Sequence, residues 1–92
     1  ASGTPIELTT FEFEVDVGAG NRLFIRGDQA PLSWTEGWPA INTGPSLWRF
    51  VSTELSGAFE YKVLRNDADW SVGENYRGTA GVANRATPTA FE

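Results

Sequence analysis

From Phe11 to Val17 hydrophobic and acidic residues alternate without a break. Phe11, Phe13, Val15 and Val17 fall on one side, Glu12, Glu14 and Asp16 on the other. A period of two is that of a β-strand with one buried and one wet face. Gly18-Ala19-Gly20-Asn21 then signals a turn, and Arg22 to Arg26 reads as a short second strand ending at Gly27-Asp28. Residues 28–46 contain Pro31, Pro39, Pro45, Gly37 and Gly44, a content that predicts a long loop or broken strand. Leu47 to Ser52 and Ala58 to Arg65 read as strands, the second with Phe59, Tyr61 and Val63 on one face. Ser56-Gly57 between them has the character of a hairpin turn. Asn66 to Asp69 reads as a loop, 70–77 as a short irregular strand, 78–85 as a polar loop and Ala86 to Phe91 as a closing strand. No segment carries a 3.6-residue apolar stripe, and no internal repeat is evident. Short strands separated by turns predict an all-β, two-sheet antiparallel β-sandwich, immunoglobulin-like, of about seven or eight strands.

Composition narrows the chemistry. The chain has 92 residues, the length of one domain spanning residues 1–92, with a modest core and little room for a deep cleft. It has no cysteine, which excludes disulfides and thiolate metal sites. It has no histidine, which removes the commonest general base and transition-metal ligand. No cofactor is expected. A net charge of −5 repels a phosphate backbone and an anionic lipid surface, so neither nucleic acid nor membrane is an expected partner. No leader peptide is apparent, and Ala1-Ser2-Gly3 reads as a mature terminus or a cloning remnant.

The four tryptophans divide into two kinds. Trp48 shares a strand face with Phe50 in Leu47-Trp48-Arg49-Phe50 and reads as core. Trp34, Trp38 and Trp70 sit among Ser, Thr, Gly, Pro, Asp and Glu, in loop or strand-edge contexts. Each could cap the end of the core. Three together point instead to a partly exposed aromatic surface. Such a surface suits a sugar: the C–H face of a pyranose stacks on an aromatic ring, and its hydroxyls bond to polar groups at the rim. Trp70 lies in Asp69-Trp70-Ser71-Val72-Gly73-Glu74-Asn75. It follows a run holding Lys62, the sole lysine, which alternation turns away from the core. Lys62 reads equally as a solvated lysine, and Asn75 equally as a turn residue.

Phe59-Glu60-Tyr61-Lys62, then Trp70, then Asn75, with Leu32-Ser33-Trp34 upstream, resemble the starch-binding domains of carbohydrate-binding module family 20. Leu23-Phe24-Ile25-Arg26-Gly27 and Pro45-Ser46-Leu47-Trp48 add to the resemblance, which covers roughly residues 22–91. Modules of that family occur at the ends of amylases, glucoamylases and cyclodextrin-producing transferases. The resemblance implies that Trp34 and Trp70 stack on neighbouring glucose units and that Lys62 and Asn75 bond their hydroxyls. Two planes set at an angle suit the curved α-1,4-glucan. Glu74 and Trp38 are further candidates; Trp38 has no family counterpart and would extend the first site. Many members have a second site built on tyrosines, but Ala19 stands where one would be expected, and Tyr61 reads as core. The glycogen-binding modules of family 48 share the fold and a two-tryptophan site.

Three other signals read as structure. Arg26-Gly27-Asp28 spells an adhesion tripeptide but fits a strand running into a turn. Asp67 and Asp69 lack the rest of a calcium loop. Glu12, Glu14 and Asp16 form an acidic stripe that alternation makes the wet face of a sheet rather than a glycosidase pair. The expected function is non-catalytic binding of α-glucan, by a monomer that is free or tethered to an amylase-type enzyme, and outside the cell. Expected affinity for short oligosaccharides is on the order of micromolar to millimolar, because an exposed platform leaves much of the ligand in water. The alternatives are a protein-interaction or adhesion module using the same aromatic patch and a small glycoside-active enzyme. For the favoured function Trp34 and Trp70 should lie exposed on one face, several ångströms to about 10 Å apart, with Lys62 nearby.

Overall fold

A computed structural model describes residues 8–92, so the Ala1-Ser2-Gly3 start lies outside the described residues. Among the described residues nine strands follow one another: β1 (Thr9–Glu14), β2 (Leu23–Gly27), β3 (Trp38–Pro39), β4 (Ile41–Gly44), β5 (Leu47–Ser52), β6 (Ala58–Arg65), β7 (Asp69–Trp70), β8 (Tyr76–Thr79) and β9 (Ala83–Ala86). They form a β-sandwich. One sheet has the order β4-β5-β1-β9; the other has β3-β2-β6-β7, with β8 also paired to β6. No helix occurs among the described residues.

Alternation decides what each sheet buries. In β1, Phe11 and Phe13 face inward, and the same phase continues past the strand, so Val15 and Val17 are also buried. Their partners across the ladder, Phe50 and Trp48, carry the inner face onto β5. From the other sheet come Leu23, Ile25, Phe59, Tyr61 and Val63. Phe11 is the hub: its ring lies 4.9 Å from Tyr61, edge-on, 5.6 Å from Phe59 and 5.8 Å from Phe50. Each buried aromatic of this size contributes about 1.5–3 kcal/mol of burial, and edge-on pairs add to it. Burial, with Tyr76 nearby, pushes the Tyr61 hydroxyl up to about 12. Tyr61 and Trp48 thus belong to the core, as their positions in the pattern imply.

Several expectations are corrected. Ser56-Gly57 is not a hairpin turn, because β5 and β6 lie in different sheets. The segment crosses from one layer to the other, anchored by buried Leu55 and by Gln29, which exchanges two hydrogen bonds with the Ser56 backbone. Of the two expectations for segment 28–46, the broken strand holds: it contributes the short β3 and β4, both at sheet edges, where a proline costs fewest ladder bonds. The polar stretch 78–85 is largely strand: Asn84 in β9 is buried and satisfies Thr79, while β9 runs parallel to β1. The sandwich is therefore antiparallel except at that pair. The expected closing strand 86–91 instead lays only its end beside β7, where Phe91 bridges Ser71.

The outer face of β6 departs from a simple wet face. Glu60 is exposed and Lys62 half-buried, but Leu64 is buried, with Phe24 of β2 and Trp70 of β7 as its two cross-strand neighbours. A small second apolar cluster therefore sits outside the five-stranded sheet.

Candidate functional site

That outer face carries the candidate site. Trp70 is held in β7 by pairing to Leu64 on one side and by two backbone hydrogen bonds to Glu92 on the other, each 2.9 Å. Trp34 comes from the loop before β3. There Ser33 Oγ accepts from the Thr35 N–H and pairs with Thr35 Oγ1, closing a tight turn around it. Leu32, just before, is buried and anchors the loop. The two indoles meet with ring centroids 6.2 Å apart and planes tilted by 39°. Their spacing lies within the several ångströms to about 10 Å expected of the pair. The expectation that both lie exposed is not met: each ring is half-buried, because the two indoles lie against each other and Trp70 also lies beside Leu64 and the Arg26 guanidinium.

Lys62 stands on the same face, directly across the ladder from Arg26 and two residues before Leu64, the cross-strand partner of Trp70. Among the described residues it enters no ion pair. Asn75 lies further along β6, where its amide donates to Glu60 Oε1 at 3.2 Å. Lys62, Trp70, Trp34 and Asn75 thus occupy one side of one sheet. Glu74 is exposed beside Asn75. Trp38 is not part of this group. It pairs with Ile25, an inward residue of β2, so its side chain rises on the opposite face. Its ring, 48% exposed, lies 6.5 Å from Phe50, and its N–H donates to the Pro31 carbonyl at 2.8 Å. It shields the open edge of the sandwich and does not extend the Trp34–Trp70 surface.

Two residues of the site escaped the sequence reading. Arg26, three-quarters or more buried along its side chain, donates through Nε to Asp67 Oδ1 at 2.9 Å. Its two terminal nitrogens reach the Trp34 carbonyl at 2.9 Å and the Asp67 carbonyl at 3.0 Å. The guanidinium carbon lies 5.2 Å from the Trp70 ring centroid, within cation–π range. Asp67 in turn accepts the Gly37 N–H at 3.1 Å. Burial alone would raise the Asp67 carboxyl, but hydrogen bonds from Arg26 and Gly37 and the Arg26 charge together hold it below its usual value. Asp67 has a positive φ of 54°, so this turn presents its carboxylate from a backbone shape that few residues adopt. In sequence Arg26 is only the first letter of the tripeptide and Asp67 only a loop carboxylate. Nothing local pairs them.

The rest of the tripeptide is equally structural. Gly27 is buried with no room for a side chain against Leu32 and the Glu60 carbonyl, and Asp28 exchanges two 3.0 Å hydrogen bonds with the Glu60 backbone. Strand running into turn is the correct description. The Glu12–Glu14 stripe lies outside the four-stranded sheet, where Glu12 faces Arg49 and Arg85 across the ladders. A groove of about 390 Å³ runs over these charged side chains, on the other sheet from the tryptophan pair. No cluster of three or more carboxylates suited to a metal occurs among the described residues.

No protein-family model matches the chain, and no curated protein does. Among solved structures it is similar to a glycoside hydrolase family 15 glucoamylase from Hypocrea jecorina, with a TM-score of 0.73 over 96% of this chain and 18% sequence identity. The match spans 18% of the glucoamylase chain. At that identity the likeness is one of fold.

Proposed function

We propose that this chain is a non-catalytic binding module for α-1,4-glucan, of the starch-binding type that its motifs resemble. The observation that carries the reading is the Trp34–Trp70 pair: two indoles 6.2 Å apart, tilted by 39°, with Lys62 and Asn75 on the same face. Tilted rings receive successive units of a curved chain by C–H contact. The ammonium of Lys62 and the amide of Asn75 supply donors to hydroxyls at the rim. The glucoamylase likeness supports the reading, since modules of the resembled family occur at the ends of such enzymes. On this reading the chain acts as an accessory to an amylase-type enzyme, outside the cell, and brings its partner to the polymer.

Titration of intrinsic fluorescence with maltoheptaose or β-cyclodextrin tests it. The wild type should respond in the micromolar to millimolar range, on the order expected for an open platform. Trp34→Ala is the cleaner variant, because Trp34 lies on a loop whereas Trp70 also covers Leu64 in the outer cluster. It should lose retention on starch while melting close to the wild type. Unchanged retention, or a wild type that ignores both ligands at millimolar concentration, would remove the reading.

A further inference from the structure

We infer that Arg26 and Asp67 are positioning residues that set the spacing and tilt of the Trp34–Trp70 pair, so that the surface is preformed before any ligand arrives. The inference rests on the platform reading above but is carried by a different observation. One guanidinium ties three segments of the chain together. Its Nε and one terminal nitrogen grip the side chain and carbonyl of Asp67, in the turn leading to Trp70. Its other terminal nitrogen holds the carbonyl of Trp34 itself. Its central carbon lies over the Trp70 ring, 5.2 Å from the centroid. Asp67 extends the tie to Gly37, at the far end of the Trp34 loop. Gly37 has no room for a side chain there: a Cβ would strike Asp67 and come within 2.9 Å of Phe24 Cβ.

Energetics explain why this is chiefly a positional device and only a modestly stabilising one. A partly buried ion pair recovers little more than its own desolvation, so the fold could use apolar residues here at small cost. What apolar residues cannot supply is direction. Arginine presents donors in a planar fork, and here three of them go to acceptors on two different loops. Those loops have no ladder between them, and the ring-to-ring geometry depends on holding both. A weak ligand benefits most from such order: when the binding arrangement is populated only in part, affinity falls by that fraction.

The test compares Arg26→Met, which keeps the stem, Arg26→Lys, which keeps the charge without the fork, and Asp67→Asn. Each is measured well below its own melting temperature. Two readouts are used. Near-ultraviolet circular dichroism reports the coupling of the two indoles without ligand, and titration with maltoheptaose reports affinity. Both Arg26 variants should weaken or lose the coupled-indole signal and bind about ten-fold more weakly, as for a platform ordered in roughly a tenth of molecules. Adding Asp67→Asn to Arg26→Met should weaken binding no further. An unchanged indole signal in Arg26→Met overturns the inference whether or not the ligand binds. Full affinity in Arg26→Met, with Trp34→Ala inactive, overturns it and leaves the platform reading standing. Recovery by Arg26→Lys would mean that charge rather than geometry matters and would also overturn it. Failure of the wild type to bind, with the indole signal lost in Arg26→Met, would remove the glucan reading and leave the clamp.

Discussion

Gly78 offers a sharp check on how the core is packed. It lies in β8 directly opposite Phe59, buried, with the rings of Phe59 and Tyr61 nearest to it. A methyl placed there would stand 2.6 Å from Phe59 Cζ and 3.1 Å from Tyr61 Cε1. Ordinary carbon contacts are about 3.5–4.0 Å, so Phe59 would have to move by about 1 Å. It has little room to do so: its ring is 5.6 Å from Phe11 and 6.0 Å from Tyr61, and all three side chains are almost fully buried. Overpacking of this kind costs about 1–3 kcal/mol, and the stiffer unfolded chain returns about 0.4–1 kcal/mol. Gly78→Ala should therefore lose about 1–2 kcal/mol, a fall in Tm of about 5–15 °C for a chain of this size. Thermal and urea melts followed by circular dichroism measure it. Phe59→Leu should relieve the clash, so that the double variant is less destabilised than the sum of the two by at least about 0.5 kcal/mol. A Tm equal to or above the wild type, or strict additivity with Phe59→Leu, would refute this account of the core.

Three further outcomes follow from the same geometry. Asn84→Ala should cost about 1–3 kcal/mol by urea titration, since the buried Asn84 amide bridges Thr79, accepting from its N–H and donating to its carbonyl. Asp67, held below its ordinary value of 3.8, contributes stability that is present above that pH and lost as pH falls through the lower folded value. The gap in Tm between wild type and Asp67→Asn should accordingly shrink on acidification below about pH 4, and a gap that widens would contradict it. Trp38→Ala should reduce stability by about 1 kcal/mol, through its lost contact with Phe50, and on the proposed reading leave maltoheptaose affinity within about two-fold, since Trp38 lies on the other face from the tryptophan pair.

Much of this molecule was legible in its sequence. Unbroken alternation from Phe11 to Val17 identified the inner face of the first strand and its exact phase, down to Val15 and Val17 beyond the strand's end. Phe59, Tyr61 and Val63 did the same for β6, and Trp48 and Tyr61 were assigned to the core by phase alone. Trp34, Lys62, Trp70 and Asn75 were marked by a family resemblance and do share one face. The tertiary structure decided what periodicity does not encode. Ser56-Gly57 reads locally as a hairpin, yet whether two successive strands pair or part into different sheets depends on partners elsewhere in the chain. The parallel pairing of β9 with β1, the burial of Leu64 on an outward face and the separation of Trp38 from Trp70 are decisions of the same kind. The clamp is the clearest of them: Arg26 and Asp67 are 41 residues apart, and each is ordinary in its own surroundings. Alternation is written along the chain because each residue's face follows from its neighbours. An ion pair between a strand and a distant turn exists only once the sheet has brought β2 and the β6–β7 turn side by side.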